Sequence, residues 1–503
     1  MIKKVLIANR GEIAIRIIRA LKELGIKSVA LCPKKGEEKN FRECELADEF
    51  FYLDEEGVSG YLNAQKILRI SKKSQCDAIH PGYGFLAENG DFAELCEKNG
   101  IIFIGPPSSI LKILGDKIEA KKIAKKCGLP VLTGEEKVEE GKIKKVIKKL
   151  KLPVILKAAD GGGGIGIEVI TKDNIKGLKF IVEKLKRISF SAFGKFSVFV
   201  EKYLPNARHI EFQILGDGKK FLHFFERECS IQRRYQKLIE EAPSPFLDEK
   251  LRKKMAKSAL NLAKYLNYKS LGTIEFLVDE QKNFYFIEVN PRLQVEHPVT
   301  EAITGVDLVK EQIKIAQGES ISVKQDDLEI FGHAVEFRIN AEDPLSDFAP
   351  SFGEIKKWQM PEGSGIQIHS FCRVGQKIYP YFDPLLLKLV VWGRNRKECL
   401  KRAKRAFEEI EIEGVKTNIC LYKFILENQK FWEGKISTDF LKKEKIVEQL
   451  KEKFSKVEKE KEEKEEEEEK IAFLVASLYK LVKEEKKEDF DKWRFFSRFE
   501  SLD

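Results

Sequence analysis

The chain has 503 residues, 43% of them hydrophobic, enough for several domains with buried cores. Its 91 basic and 81 acidic residues are interspersed and leave a net charge of +10, too mild for the length to mark a nucleic-acid binder. No apolar run is long enough to span a membrane, and the nine cysteines form no CxxC pair, so they read as reduced packing residues of a cytoplasmic protein.

The first residues, Met1 to Ala8, faintly imitate a signal peptide, but Asn9-Arg10-Gly11-Glu12 cut the apolar stretch short, so none is expected. Val5 to Ala8 read instead as a buried strand. Ile13, Ile17, Ala20, Leu21 and Leu24 then recur at helical spacing, and Gly25 ends the helix. Val29-Ala30-Leu31 is a second strand, so the chain opens on a parallel α/β unit. It has no GxGxxG, which leaves a dinucleotide site poorly supported. His80-Pro81-Gly82-Tyr83-Gly84-Phe85-Leu86-Ala87-Glu88-Asn89 follows the strand Ala78-Ile79. Its proline and two glycines fit either a close approach to ligand or an ordinary tight turn. Ile101 to Ile104 form another strand, and Gly115-Asp116-Lys117 opens a Lys-rich helix.

The character changes near Cys127. Leu152 to Ala159 read as a strand carrying Lys157, followed by Asp160-Gly161-Gly162-Gly163-Gly164-Ile165-Gly166 and a further strand. A glycine run lets backbone N–H groups close over phosphates, with a nearby Lys for charge. No Gly-Lys-Ser/Thr follows, so this is not Walker A, and a hairpin loop is expected. Ser197 to Leu204 form a strand leading into a polar turn. His209 to Leu215 alternate polar and apolar residues, which predicts one wet face. Phe224 to Lys237 are dense in charge, either a solvated basic patch or, beside a phosphate site, an anion-binding stretch.

The strongest local signal is a hairpin. Gly272 to Asp279 and Phe284 to Asn290 are apolar, β-rich runs around the turn Glu280-Gln281-Lys282-Asn283. If Asp279 faces Phe284, Glu275 falls opposite Glu288, and alternation puts Asn290 on the face of Glu288. Opposed carboxylates repel unless a cation lies between them. Two carboxylates and an amide oxygen are hard ligands suited to Mg²⁺. Arg292, Gln294 and Glu296 follow immediately, a set fit to hold an anion beside a metal-bound phosphate. In Phe331 to Pro344, strand alternation puts Glu336, Arg338 and Asn340 on one face, and the short strands and helix that follow read as α+β. From Leu441 a Lys/Glu run with an acidic block at 465–469 reads as a solvated helix or linker. Ile471 to Val482, then Trp493, Phe495, Phe496 and Phe499, fit docking onto a partner protein or packing back onto the chain's own core.

Taken together and in order, these motifs resemble biotin carboxylase, the ATP-grasp component of biotin-dependent carboxylases. The markers are Ile7 to Ala14, the His80–Asn89 loop, the glycine loop, Glu201 to Leu204, Gln232-Arg233-Arg234, Glu240-Glu241-Ala242-Pro243, Asn290 to Thr300 and Arg338 to Pro344. The likeness covers Val5 to about Phe440. It implies an N-terminal Rossmann-like parallel α/β domain over 1–115, an ATP-grasp domain over 116–325 with a lid at about 130–204, and an α+β C-terminal domain over 331–440. A charged helical tail over 441–503 lies beyond it. By the same resemblance Lys117, Lys157, Gly163, Gly164, Glu201, Lys202, Tyr203, Leu204, His209, Gln232 and Tyr235 bind ATP. Glu275, Glu288 and Asn290 hold Mg²⁺ or Mn²⁺. Lys237, Arg292, Gln294 and Val295 hold bicarbonate, Glu296 is the base and Arg338 stabilises the biotin enolate.

Four departures stand near the nucleotide: Tyr235 where the family usually has His, Asp160 in place of a loop glycine, and Ile165 and Glu168 in place of arginines. Phe352 replaces a proline. Asp160 and Glu168 add negative charge beside a phosphate loop and are expected to weaken ATP binding or slow lid closure. The catalytic positions are intact, so activity is expected. Another ATP-grasp carboxylate ligase would share the metal pair and glycine loop but not Gln294-Val295-Glu296-His297 with Arg338. The three methionines form no Met-Lys-Met biotin acceptor. The expected partners are therefore a biotin carboxyl carrier protein and a carboxyltransferase subunit, with a homodimer carried over from the family. The tail resembles the extension on A subunits of two-subunit pyruvate carboxylases, which favours that enzyme over acetyl-CoA carboxylase.

Overall fold

The computed structural model describes residues 1–158, 166–193 and 198–499. Strands β1 (Lys4–Ile7), β2 (Lys27–Cys32), β3 (Glu49–Tyr52), β4 (Ala78–His80) and β5 (Ile102–Phe103) form a parallel sheet in the order β3-β2-β1-β4-β5. The helix Gly11–Glu23 packs its Ile13, Ile17, Ala20 and Leu21 face into the core beneath β1, as the spacing of those residues predicts. The strand order reverses about β1, so the loops after β1 and β4 lie together, the usual place for a ligand crevice in such sheets. Asn9 ties them, its Nδ2 donating to the carbonyls of Pro81 and Tyr83, both at 2.7 Å.

The stretch expected to form the lid carries a four-stranded antiparallel sheet of β6 (Gly134–Val138), β7 (Val154–Ala158), β8 (Ile167–Ile170) and β9 (Val198–Lys202), in the order β6-β9-β7-β8. β7 and β8, the strands before and after the glycine run, pair antiparallel. Asp160, Gly163, Gly164 and Ile165 lie outside the described residues.

The largest sheet comprises β10 (Arg208–Asp217), β11 (Phe221–Arg233), β12 (Gln236–Ala242), β13 (Lys269–Val278), β14 (Phe284–Asn290), β15 (His333–Asn340), β16 (Ile366–Ser370) and β17 (Leu385–Gly393). It runs β14-β13-β10-β11-β12-β15-β17-β16 with every pairing antiparallel. The helix Glu249–Tyr265 covers one face through Met255, Ala259 and Leu262, against Ile210, Phe212, Ile274 and Phe276. One expectation changes here. β10 has no wet face: Glu211 and Gln213 are fully buried, because Arg227 neutralises one and hydrogen-bonds the other. The charged run after Phe224 divides, with Lys237 entering the buried site and Arg233 and Arg234 lying nearer the surface. Its two adjacent arginines are already paired, Arg233 and Arg234 both donating to Asp347.

Contacts divide the chain into two compact units, Met1–Glu444 and Lys445–Asp503. The second is built on one helix, Ile446–Phe499. Along it Ile471, Phe473, Leu474, Val475, Leu478 and Tyr479 are exposed, Phe473 by 74%.

Candidate active site

The hairpin of β13 and β14 delivers the paired carboxylates, by a different route from the one its turn implies. The turn is one residue tighter than expected: Val278, not Asp279, pairs with Phe284. A bulge then adds one residue to β14, between Phe286 and Glu288. The two offsets cancel, and Glu275 lies directly opposite Glu288. Asn290 joins them, its Nδ2 donating to Glu275 Oε1 at 2.8 Å. Burial and the facing Glu275 both push the Glu288 carboxyl up, which is the electrostatic mark of a pair short of positive charge. With its hard oxygen donors, the trio fits a divalent cation such as Mg²⁺.

Lys237 is the hub of the site. Its ammonium donates to Glu211 Oε2 at 2.6 Å, Glu275 Oε1 at 2.8 Å and Glu296 Oε1 at 2.6 Å. Glu211 stands opposite Glu275 across β10 and β13, and Arg227 holds its other oxygen at 2.5 Å. Arg227 also reaches Gln213, Thr273 and Thr300, so the floor of the site is a fully bonded buried guanidinium. Clusters of His209, Glu211 and Glu275, and of Glu211, Cys229 and Glu296, come close enough to ligate a metal. Lys237 already bridges carboxylates of both, and burial pushes the Cys229 thiol up, away from the thiolate a metal needs.

Glu296 sits at the head of the helix His297–Thr304 and is fully buried. Burial opposes its ionisation, but Lys237, Arg338 and Arg227 outweigh that and hold its carboxyl well below the usual range. Arg338, on β15, donates to Glu296 Oε2 at 2.9 Å and also contacts Glu240. Arg292 pairs with Glu88 from the His80–Asn89 loop and donates to Gln294 Oε1 at 3.1 Å and Asn290 Oδ1 at 3.2 Å. That loop therefore contributes to the site and is more than a turn. Gln294 Nε2 donates to Glu275 at 3.3 Å, and the Val295 carbonyl accepts from Lys388 at 2.9 Å.

On the nucleotide side Lys157 lies 2.9 Å from Glu201, which Lys121 also contacts. Burial works against that carboxylate, yet Lys157 and Lys121 bring it down to about 2. Lys117 lies in the field of Glu288 and Glu201. His209 spans the two halves of the site: Nε2 lies 2.8 Å from Glu275, and Nδ1 meets Gln232 at 2.7 Å. Tyr235, on the tight turn between β11 and β12, lies near Tyr203 and Glu168 of the lid. Lys202 Nζ donates to the Lys151 carbonyl at 2.9 Å, and Leu204 is half-buried just past β9. The charge of Glu168 is offset by Lys184 at 2.6 Å, so that departure is milder than its sequence implies.

Sequence reasoning missed Glu211, Arg227, Glu88, Lys121 and Lys388. Each acquires its role from a strand neighbour or a distant loop, and no local motif marks it.

Three family models tile the chain: biotin carboxylase N-terminal domain over 1–111, the ATP-binding domain of the carbamoyl-phosphate synthase L chain over 116–324, and biotin carboxylase C-terminal domain over 336–443. The chain belongs to the biotin carboxylase family. It is thus an ATP-dependent ligase acting on biotin, and the flanking domains separate it from other users of the same ATP-binding domain. The A subunit of pyruvate carboxylase from Methanothermobacter thermautotrophicus is 46% identical over 445 residues, 88% of this chain and 90% of that one. Biotin carboxylase 1 of Bacillus subtilis is 44% identical over 448 residues, 88% of this chain and 98% of that one. Among solved structures, the biotin carboxylase domain dimer of Hydrogenobacter thermophilus 2-oxoglutarate carboxylase, in complex with MgADP, ADP and bicarbonate, superposes with a TM-score of 0.86 at 44% identity. It covers 89% of this chain and 98% of that one. The three domain matches end at residue 443, ahead of the long C-terminal helix.

Proposed function

We propose that this biotin carboxylase is the A-type subunit of a two-subunit pyruvate carboxylase, and that the residues around Lys237 carry out its chemistry. The observation that carries the assignment of roles is the Lys237–Glu296–Arg338 chain. In it a buried carboxylate, Glu296, lies between two cations, Lys237 and Arg338, which supports a base between a bicarbonate-binding and an enolate-binding group.

Lys237 and Arg292 fix bicarbonate in line with the γ-phosphate of ATP, which converts a bimolecular encounter into a positioned one. Both cations are ion-paired as the structure stands, so bicarbonate exchanges for carboxylate contacts already made by Glu296 and Glu88. That exchange frees Glu296 to accept the bicarbonate proton. Lys157, Lys117 and His209 line the phosphate path. Mg²⁺ held by Glu275, Glu288 and Asn290 neutralises charge on the transferring phosphoryl group. Once Glu296 is protonated it no longer competes for Arg338, whose planar fork then holds the enolate oxygen formed as the N1′ proton of biotin passes to the phosphate released with CO₂ from carboxyphosphate.

The parent complex is inferred from two relatives, the pyruvate carboxylase A subunit named above and, at 45% identity, the small subunit of a 2-oxoglutarate carboxylase. Biotin arrives on a carrier protein, and a carboxyltransferase subunit passes the carboxyl group on. The homodimer follows the dimeric structure named above. The exposed apolar stretch of the tail helix is the docking segment for the partner subunit. All nine cysteines are free and no helix among the described residues is long and apolar enough to cross a membrane, which fits a cytoplasmic enzyme.

The decisive test is ADP release by the purified chain with Mg²⁺, bicarbonate and free biotin, added singly and together. Turnover that needs both substrates supports the roles; stimulation by another acid or amine instead of biotin refutes them. Reconstitution with carrier and carboxyltransferase subunits, offered pyruvate, 2-oxoglutarate or acetyl-CoA, decides the acceptor.

A further inference from the structure

Beneath Arg338 lies a second pair of acids that the chemistry above does not use. β12 and β15 run antiparallel with Glu240 directly opposite Glu336. A bulge explains how Glu240 comes to face this way. Ile231 pairs with Ile239 but Gln232 pairs with Lys237, so β12 carries one extra residue. Lys237 and Glu240, three apart, therefore share a face. Glu240 and Glu336 are both fully buried. Among the described residues neither oxygen of Glu336 has a hydrogen-bond partner, and Glu240 meets Arg338 as an ion pair without a well-aligned hydrogen bond.

The charged groups facing them come from every neighbouring element. Glu336 faces Glu240 of β12, Arg338 of its own strand, Lys388 of β17 and Glu296. Glu240 faces Arg338, Glu296, Lys237, Cys229 of β11 and Tyr422 of the helix Ile419–Ile425. Lys388 is committed elsewhere, to Glu12 at 3.1 Å and the Val295 carbonyl at 2.9 Å. Burial pushes both carboxyls up, helped by Glu296 at Glu240, which rises to about 7, and by Glu240 and Glu296 at Glu336. Two ionised carboxyls opposed in a dry interior, one with no donor, are strongly disfavoured; one proton between them removes the conflict.

We propose that Glu240 and Glu336 hold one proton between them and act as positioning residues for Arg338. The protonated pair carries a single negative charge, and its Glu240 meets the same Arg338 nitrogen, Nη2, that Glu296 contacts. It keeps the guanidinium seated when Glu296 becomes neutral. Loss of the shared proton puts a second anion beneath Arg338 and draws it out of the site. This rests on the roles given to Glu296 and Arg338 above.

The test compares wild type with Glu336→Gln, and with Glu336→Met as a second, apolar replacement of similar volume. Three readouts are used: the protonated-carboxyl stretch in infrared difference spectra, melting temperature against pH, and the pH profile of biotin-dependent kcat. The native pair keeps a proton that the unfolded chain releases in the ordinary carboxylate range, so wild-type stability falls as pH rises from that range to about 7. The expected result is loss of one carboxyl band in both variants and a melting-temperature advantage for them that grows with pH. The alkaline fall in wild-type kcat, about tenfold per pH unit for one ionisation, also disappears in Glu336→Gln. An unchanged band together with a pH-independent difference in melting temperature overturns the proposal. An alkaline limb that persists in Glu336→Gln overturns the link to Arg338. The spectra and melting curves need no turnover, so failure of the biotin reading is distinguishable from failure of this one.

Discussion

The strand Arg208–Asp217 and the helix Ile446–Phe499 are both studded with charge, and they treat it in opposite ways. In the strand Glu211 is fully buried, with both oxygens bonded to cations from β11 and β12. In the helix the described charged side chains between Lys451 and Lys470 stay in water, and pairs such as Lys470–Glu466, at 3.6 Å, are exposed at both ends. Similar residue types thus end in opposite environments. What separates them is whether the fold brings a matched partner to each charge, because a buried ion is tolerated only when paired and hydrogen-bonded.

Four substitutions sharpen or break that contrast. Glu296→Gln has the largest expected effect: biotin-dependent ADP release falls about 10²- to 10⁴-fold, the usual worth of a positioned base. A variant retaining full turnover would remove Glu296 from the chemistry. Arg227→Leu leaves Glu211 buried without its main cation and is expected to cost about 3–5 kcal/mol in urea unfolding. A loss below about 1 kcal/mol would mean that the site floor relaxes to admit water. Glu201→Gln tests the lid. The Glu201 carboxyl is depressed from 4.5 to about 2, so its ion pairs stabilise the fold above the unfolded-state value. That contribution is lost as pH falls from 4.5 to about 2, and the variant flattens this part of the acid-unfolding curve. At the small end, Glu466→Gln in the tail changes stability by less than about 0.5 kcal/mol. A larger loss would show the tail charges to be paired as tightly as those of the sheet.

Much of the site was legible because its chemistry is local. Glu275, Glu288 and Asn290 sit on one hairpin, and Arg292, Gln294 and Glu296 follow within a few residues, so alternation along a strand was enough to gather them. Even there the register came from two compensating offsets, a tighter turn and a bulge, neither of which has a mark in the residues themselves. The wet face expected on β10 failed for a related reason. Alternation reports that two faces differ, but not that Arg227 from the next strand makes the polar one dry.

Residues close in the chain were enough to mark the parallel opening unit, the antiparallel strands flanking the glycine run and the metal-type carboxylate pair. Only the tertiary structure decided that Lys237 bridges Glu211, Glu275 and Glu296, that Glu88 reaches Arg292, and that Glu240 lies against Glu336. Those contacts join strands and loops far apart in sequence. Their energies depend on burial and on the full set of neighbouring charges, which exist only once the sheet has formed.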